Sequence, residues 1–221
     1  MKKLIALLLL LALGLPSRAG AGETVVTIAA AGDNLIHSSI FRDAKTDSGY
    51  DFSPIYKRVS KIISSADVAY INQETPLGTS GFSGYPHFCT PCRMADDLVN
   101  AGFDVIGIAN NHMLDRGDDG LRFTRDYIAE RAEAVIGYDR DSIAVVERKG
   151  IKLAFAQMTY STNCDGHSDI PRLSFSLCER LIKRAKEKAD AVIVCVHFGD
   201  EFDSGRAMSV FPTNEKQEEY A

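Results

Sequence analysis

Four short runs along the chain are almost wholly apolar: Val25 to Ala31, Val68 to Ile71, Val105 to Ala109 and Ala191 to Val196. None alternates apolar with polar residues as a half-exposed strand does, so the pattern predicts strands of a sheet covered on both faces. Between these runs the spacing turns helical. It predicts helices over Arg93 to Asn100, Asp118 to Arg131 and Leu177 to Lys188, the last with Leu177, Leu181, Ala185 and Ala189 on one face and Ser176 with Glu179 as a capping box. Val145 to Glu147 and Leu153 to Gln157, joined through Arg148, Lys149 and Gly150, read as a hairpin. Strands alternating with helices predict an α/β fold in one domain over residues 22–221, with no repeat, linker or low-complexity tract.

Residues 1–21 stand outside that pattern. Lys2 and Lys3 precede the apolar run Leu4 to Leu15, and Pro16, Ser17, Arg18 and the small residues Ala19, Gly20 and Ala21 follow it, which are the three parts of a secretory signal peptide. The run has 12 residues, short of the roughly 20 that a spanning helix needs. The expectation is cleavage after Ala21 and an exported product, extracellular, at the cell surface or periplasmic. Membrane contact is expected only through this segment if it stays uncleaved. No Cys precedes Cys89, which argues against a lipid-modified N-terminal Cys.

Composition narrows the function classes. A chain of 221 residues with 45% hydrophobic residues can bury one sizeable core and is neither disordered nor fibrous. A net charge of -5 offers no basic footprint for nucleic acid. The basic run Lys183 to Lys188 reads as the solvated face of an amphipathic helix. Five cysteines in an exported chain cannot all pair internally. Cys89 and Cys92, in CTPC, lack the second pair that a zinc site would require, and Cys195 in its apolar run reads as core.

The chemistry gathers where the apolar runs end. Gly32 and Asp33 follow the first, Asn72, Gln73 and Glu74 the second, Asn110, Asn111 and His112 the third, and His197 the fourth. Ligands of α/β sheets bind at the carboxyl ends of strands, so the four tails are expected to converge on one site. Mixed carboxylate, amide and imidazole donors suit Mn, Fe or Zn. Two such ions would clamp a phosphate or carbonyl group and activate water. Asp115, three residues after His112, is placed to accept its second ring proton and fix the tautomer. Each residue also has a plainer reading: Asp33 as a helix cap, Asn110 to His112 as a turn, His197 as an ordinary hydrogen-bonded histidine. The same event at four strand ends favours the shared site. His37, one helical turn after Asp33, and His87, in the loop Gly84 to Cys92, are further candidates for the cleft or for plain surface; His167 sits in a polar loop read as solvent-exposed.

GDNLIH (Gly32 to His37), NQETPLG (Asn72 to Gly78), ANNHMLDRGDDGL (Ala109 to Leu121) and VHFGDEF (Val196 to Phe202) occur in the order and spacing of the CapA family. The chain resembles those capsule synthesis proteins, associated with poly-gamma-glutamate, of the calcineurin-like metallophosphoesterase superfamily. The resemblance implies a four-layer αββα sandwich and two divalent metal ions. It implies Asp33, Glu74, Asn111 and His197 as metal ligands, His112 as the residue that stabilises or protonates the leaving group, and Asn72 and Glu201 as substrate contacts; with Asp115, read from its spacing, His112 forms the expected catalytic pair. Phe198 stands where the family commonly has Trp. The family continues beyond the Pro212 to Ala221 region into a His-rich motif with further ligands, with Pro212 and Gln217 as matching positions, so a C-terminally incomplete domain that binds metal poorly is expected.

The function implied is metal-dependent hydrolysis or transfer in synthesis, export or anchoring of a poly-gamma-glutamate-type capsule. The expected partners are the acidic polymer or the capsule machinery. One alternative is a non-catalytic protein that binds the polymer or assembles that machinery. Another is a thiol redox module on Cys89 and Cys92; the loop residues Tyr85 and Pro86 before the pair count against it.

Overall fold

A computed structural model describes residues 23–166 and 169–199. The signal segment 1–21, Gly22, His167, Glu201 and the Pro212 to Ala221 region lie outside the described residues.

The chain begins with β1 (Ile28–Asn34), α1 (Ser38–Asp43), the small antiparallel pair β2 (Lys45–Thr46) and β3 (Gly49–Tyr50), the single-turn helices α2 (Ser53–Tyr56) and α3 (Ser60–Ile63), and β4 (Val68–Gln73). The parallel pair β5 (Leu77–Gly78) and β6 (Thr90–Pro91) precedes α4 (Arg93–Ala101), β7 (Val105–Gly107), α5 (Gly117–Ala129) and β8 (Ala134–Ile136). The hairpin β9 (Ala144–Arg148) and β10 (Ile151–Thr159), then α6 (Phe175–Lys186) and β11 (Ala191–His197), complete the described order.

One sheet is all parallel, in the order β1-β4-β7-β8; a second runs β11-β10-β9, with β10 and β11 parallel. The architecture is therefore α/β around a parallel sheet. All six residues of β4 are buried, which is why its sequence shows no alternation. Ala69 and Ile71 pack with Met94 and Leu98 of α4 and Leu121 and Ile128 of α5. Val68 and Tyr70 face the other way and meet Val146, Leu153 and Phe155, so the two sheets pack against each other there. Beyond β10, Ala156 and Met158 are covered by Leu177 and Leu181 of α6. Each of the larger of these side chains, Val, Leu, Ile, Met or Phe, contributes about 1.5–3 kcal/mol by leaving water.

Local details differ from the expectation. β1 starts later than Val25, which is 59% exposed, and extends through Asp33 and Asn34. The cap of α6 is Ser174, whose hydroxyl accepts from the Leu177 N–H at 3.3 Å. Ser176 lies inside the helix, because Phe175 already has helical geometry and only Ser174 is extended, as an N-cap must be. Strand β8 follows α5 with three residues, too short a run to show a period. The β9–β10 turn has Lys149 at φ 53° and Gly150 at φ 80°, the paired positive angles of a type I′ hairpin turn.

A bulge in β1 matters for the site. Ala30 pairs with Tyr70 and Asp33 with Asn72, so Ala31 and Gly32 together oppose Ile71. The extra residue puts Asp33, rather than Gly32, on the face that Asn72 shares with Tyr70.

Candidate metal centre at the strand ends

The carboxyl ends of β1, β4, β7, β10 and β11 open into one cleft of about 920 Å³. Asp33, Glu74, Asn111, His112 and His197 all line it, together with His37, Phe88, Thr159, Tyr160 and Asn163 among others. One ligand atom from each of Asp33, Glu74 and His197 falls within 4.8 Å of the other two. His197 Nδ1 lies 3.3 Å from Asp33 Oδ1, and its Nε2 lies 3.0 Å from Asn111 Oδ1 and 3.9 Å from Glu74 Oε1.

Nε2 of His197 thus faces acceptor oxygens, while Nδ1 lies near both Asp33 Oδ1 and the Asn72 amide nitrogen, 3.4 Å away, so a neutral imidazole can accept at Nδ1 and donate from Nε2. Two carboxylates converge here, and among the described residues lining the cleft there is no lysine or arginine. Glu74 is buried beside His197 Nε2, so its carboxylate is presented to the same point as that of Asp33. The donor set, two carboxylate oxygens, an amide oxygen and an imidazole nitrogen, fits a divalent ion of the Mn, Fe or Zn kind.

For Asp33, burial works against the charged form, but hydrogen bonds from His197 and Asn72 outweigh it and hold the carboxyl below its ordinary 3.8. The Asn72 amide donates to Asp33 Oδ1 at 2.7 Å. Its carbonyl accepts from Gln157 Nε2 at 2.9 Å and from Asn110 Nδ2 at 3.3 Å. Asn72 is buried and is not among the lining residues, so its geometry is that of a residue orienting Asp33, where the resemblance implied substrate contact.

His112 is held from several sides. Asp115 Oδ2, with no exposed side-chain surface, lies 2.8 Å from His112 Nδ1 and also accepts the Phe88 N–H at 2.8 Å. The Phe88 ring packs edge-on to the imidazole at 4.7 Å. The backbone N–H of His112 donates to Asn110 Oδ1, and Asn163 Nδ2 lies 3.3 and 3.4 Å from the two ring nitrogens. Asp115 itself does not line the cleft. Its carboxylate is placed to orient His112. His37 lines the cleft and stacks edge-on to Phe88 at 5.1 Å, while His87 is not a lining residue.

Two residues of this constellation escape a reading of the strand tails alone. Gln157, 1% exposed, reaches from β10 in the second sheet across to the first, accepting the Ala109 N–H at 2.9 Å while donating to Asn72. The first sheet makes room for it: a Cβ on Gly107 would sit 2.4 Å from Gln157 Oε1 and 2.6 Å from the Tyr70 hydroxyl. Its signal is present in the sequence as the polar member of the alternating set Leu153, Phe155, Gln157. Asn163, in the loop after β10, carries no such signal.

The cysteines are all unpaired thiols among the described residues. Cys89 is buried and its thiol pushed up by that burial, and it precedes β6 and does not start a helix. That is the opposite of an activated redox thiol. Cys195 lies between the sheets beside Tyr70, its thiol pushed up to about 11 by burial.

Fold and site define a class: an α/β protein with a candidate metal centre at the carboxyl ends of its parallel strands. The family model of the bacterial capsule synthesis protein PGA_cap matches residues 27–208, and the chain belongs to that family. It is 25% identical over 178 residues to the capsule biosynthesis protein CapA of Bacillus anthracis, covering 70% of this chain and 43% of that protein. Two uncharacterized proteins of Sinorhizobium fredii, y4sH and y4uA, are each 33% identical over 86 residues, 35% of this chain and 18% of theirs. The chain spans less than half the length of these curated relatives. The resemblance to the CapA family read from the motifs is thereby borne out.

Proposed function

We propose that this chain is an exported, metal-dependent hydrolase or transferase of poly-gamma-glutamate-type capsule synthesis, export or anchoring, built on a four-layer metallophosphoesterase sandwich. The order helix, sheet, sheet, helix through the packed clusters supports that sandwich. Among the described residues no helix is long and apolar enough to cross a membrane; export rests on the signal-like segment and on the capsule role of the relative CapA.

The observation that carries the reading is the convergence of Asp33, Glu74 and His197 donor atoms within 4.8 Å, beside a histidine braced by a buried aspartate. Asp33, Glu74, Asn111 and His197 would hold a divalent ion, the first of the two that the family resemblance implies. Bound there, it supplies Lewis-acid polarisation of a phosphoryl or carbonyl oxygen. His112 carries the proton chemistry. Asp115 accepts from Nδ1–H, which directs Nε2 toward the cleft and stabilises the imidazolium, so Nε2 can protonate a departing oxygen or nitrogen. Asn72 and Gln157 keep Asp33 in place, and Phe88 walls one side of the imidazole against water. Glu201 is proposed as a substrate contact.

The test is phosphoester and γ-glutamyl amide hydrolysis by the purified full chain with added Mn²⁺, Fe²⁺ or Zn²⁺, compared with His112→Ala. At saturating metal, a slow turnover that falls by about 10²–10⁴ in the variant, the range for losing a general acid, is expected. Bound polymer without turnover or stoichiometric metal would instead favour the non-catalytic alternative.

A further inference from the structure

Beside the cleft, behind the residues that brace His112, lies a second convergence of ligand atoms that the proposed reaction does not use. His87 is in the loop before β6, Cys164 in the loop after β10, and Asp115 follows the Asn-Asn-His turn. Cys164 Sγ lies 3.8 Å from His87 Nδ1 and 3.9 Å from Asp115 Oδ1, and the three ligand atoms all fall within 4.8 Å of one another. Zinc–sulfur and zinc–nitrogen bonds of about 2.3 and 2.0 Å place the donors of one tetrahedral ion roughly 3.3–3.8 Å apart. The observed spacings are those of a site that closes on an ion with small side-chain movements.

Two further observations point the same way. Asp115 Oδ2 serves His112 and Phe88, while Oδ1, on a side chain with no exposed surface, faces a thiol, a weak donor at that distance. A buried carboxylate oxygen so poorly matched calls for a stronger partner. The loop presenting His87 is also pinned: Ser83 and Cys89 exchange backbone hydrogen bonds at 3.1 and 3.0 Å, and the Ser83 hydroxyl donates to the His87 carbonyl at 2.6 Å. His87 is therefore offered from a braced loop, at low ordering cost.

We propose that His87 Nδ1, Cys164 Sγ and Asp115 Oδ1 form a second cation site, selective for a thiophilic divalent ion such as Zn²⁺, that adjoins the His112 side of the cleft. The thiolate separates it chemically from the oxygen-rich centre of Asp33, Glu74 and His197. Because the same aspartate binds the ion through Oδ1 and His112 through Oδ2, occupancy withdraws charge from the carboxylate that orients His112 and links zinc availability to the state of the cleft.

Cobalt is the probe, since a cobalt–thiolate bond gives a near-ultraviolet charge-transfer band and cobalt on oxygen and imidazole alone does not. The full chain, reduced with a phosphine, is titrated with Co²⁺. A band saturating at about one equivalent is expected. Cys164→Ser should lower it at least tenfold, His87→Ala should weaken cobalt affinity at this site at least tenfold, and both variants should keep the wild-type circular dichroism. The Cys89→Ala/Cys92→Ala double variant and Asp33→Asn should leave the band intact, which separates this site from the CTPC pair and from the proposed catalytic centre. Absence of the band in the wild type, its persistence in Cys164→Ser with unchanged affinity in His87→Ala, or its loss in the double variant overturns the proposal.

Discussion

Strands β4 and β11 both end in proposed metal donors and both read as unbroken apolar runs, yet the structure treats them differently. Every residue of β4 is buried, and its tail is tied down by side-chain hydrogen bonds: Gln73 to Asn34 and Thr75, Asn34 to Tyr56, Asn110 to the Gln73 carbonyl, Asn72 to Asp33 and Gln157. Strand β11 is partly exposed along its whole length and, among the described residues, borders the second sheet with β10 alone beside it. A run of apolar residues therefore identifies a strand without saying how completely the fold covers it. The centre has one preorganised half, from the first sheet, and one half whose position depends on how well β11 is held. Gln157 is a buried polar link between the two sheets beside that centre, and His197 is a second, more exposed one.

The contrast predicts unequal costs of truncation. Ile71→Ala on β4 should lose about 2–5 kcal/mol of stability, the range for a buried aliphatic cut to Ala. Ile193→Ala on β11, only partly buried, should lose roughly half of that or less, because part of the cavity is already open to solvent. Equal losses in urea unfolding would break the comparison. Gln157→Leu comes next: it strands the Ala109 N–H, leaves Asn72 Oδ1 with the Asn110 amide as its remaining donor, and should cost about 1–3 kcal/mol. It should also loosen Asp33 and weaken divalent-ion binding. Unchanged ion affinity would show that the link between the sheets is packing alone.

Much of this was legible in the sequence, for identifiable reasons. Buried strands leave continuous apolar runs, and the ends of those runs carried Asp33, Glu74, Asn111, His112 and His197, which the fold gathers at one cleft. The α/β class followed from the same pattern. Where short-range pattern says nothing, legibility stopped. The bulge that selects Asp33 over Gly32 depends on pairing with β4. The role of Gln157 depends on the opposite sheet, and that of Asn72 on a network spanning both sheets. The capping box at Ser176 failed because a Ser with a Glu three residues later has the same look two residues past the cap as at the cap itself. The cluster of His87, Asp115 and Cys164 joins three loops that are remote in sequence.

Two smaller effects sharpen the picture of the second sheet. Ser174→Ala removes the cap of α6, the helix covering β10, and should cost about 1 kcal/mol. Its effect on ion binding should be smaller than that of Gln157→Leu. Asp67, at the amino end of β4, joins Thr27 to Lys149 of the β9–β10 turn, far along the strands from the cleft. Hydrogen bonds from Lys149 and Thr27 lower its pKa from 3.8 to about 2. A depressed folded-state value means that this clasp stabilises the fold above pH 3.8 and is lost as pH falls through about 2. The stability difference between wild type and Asp67→Asn should be present near neutral pH and vanish at the acid end of that window. A difference independent of pH would remove the charge from the explanation.

The central claim is that the two sheets together hold a divalent cation at their strand ends. Its most direct test is a crystal of the full chain soaked in Mn²⁺ and measured at a wavelength where manganese scatters anomalously. The account predicts an anomalous peak within bonding distance of Asp33, Glu74 and His197, and its disappearance in His197→Ala crystals of the same form. Soaked wild-type crystals with no peak among those three side chains, or a peak unchanged in the variant, would contradict it.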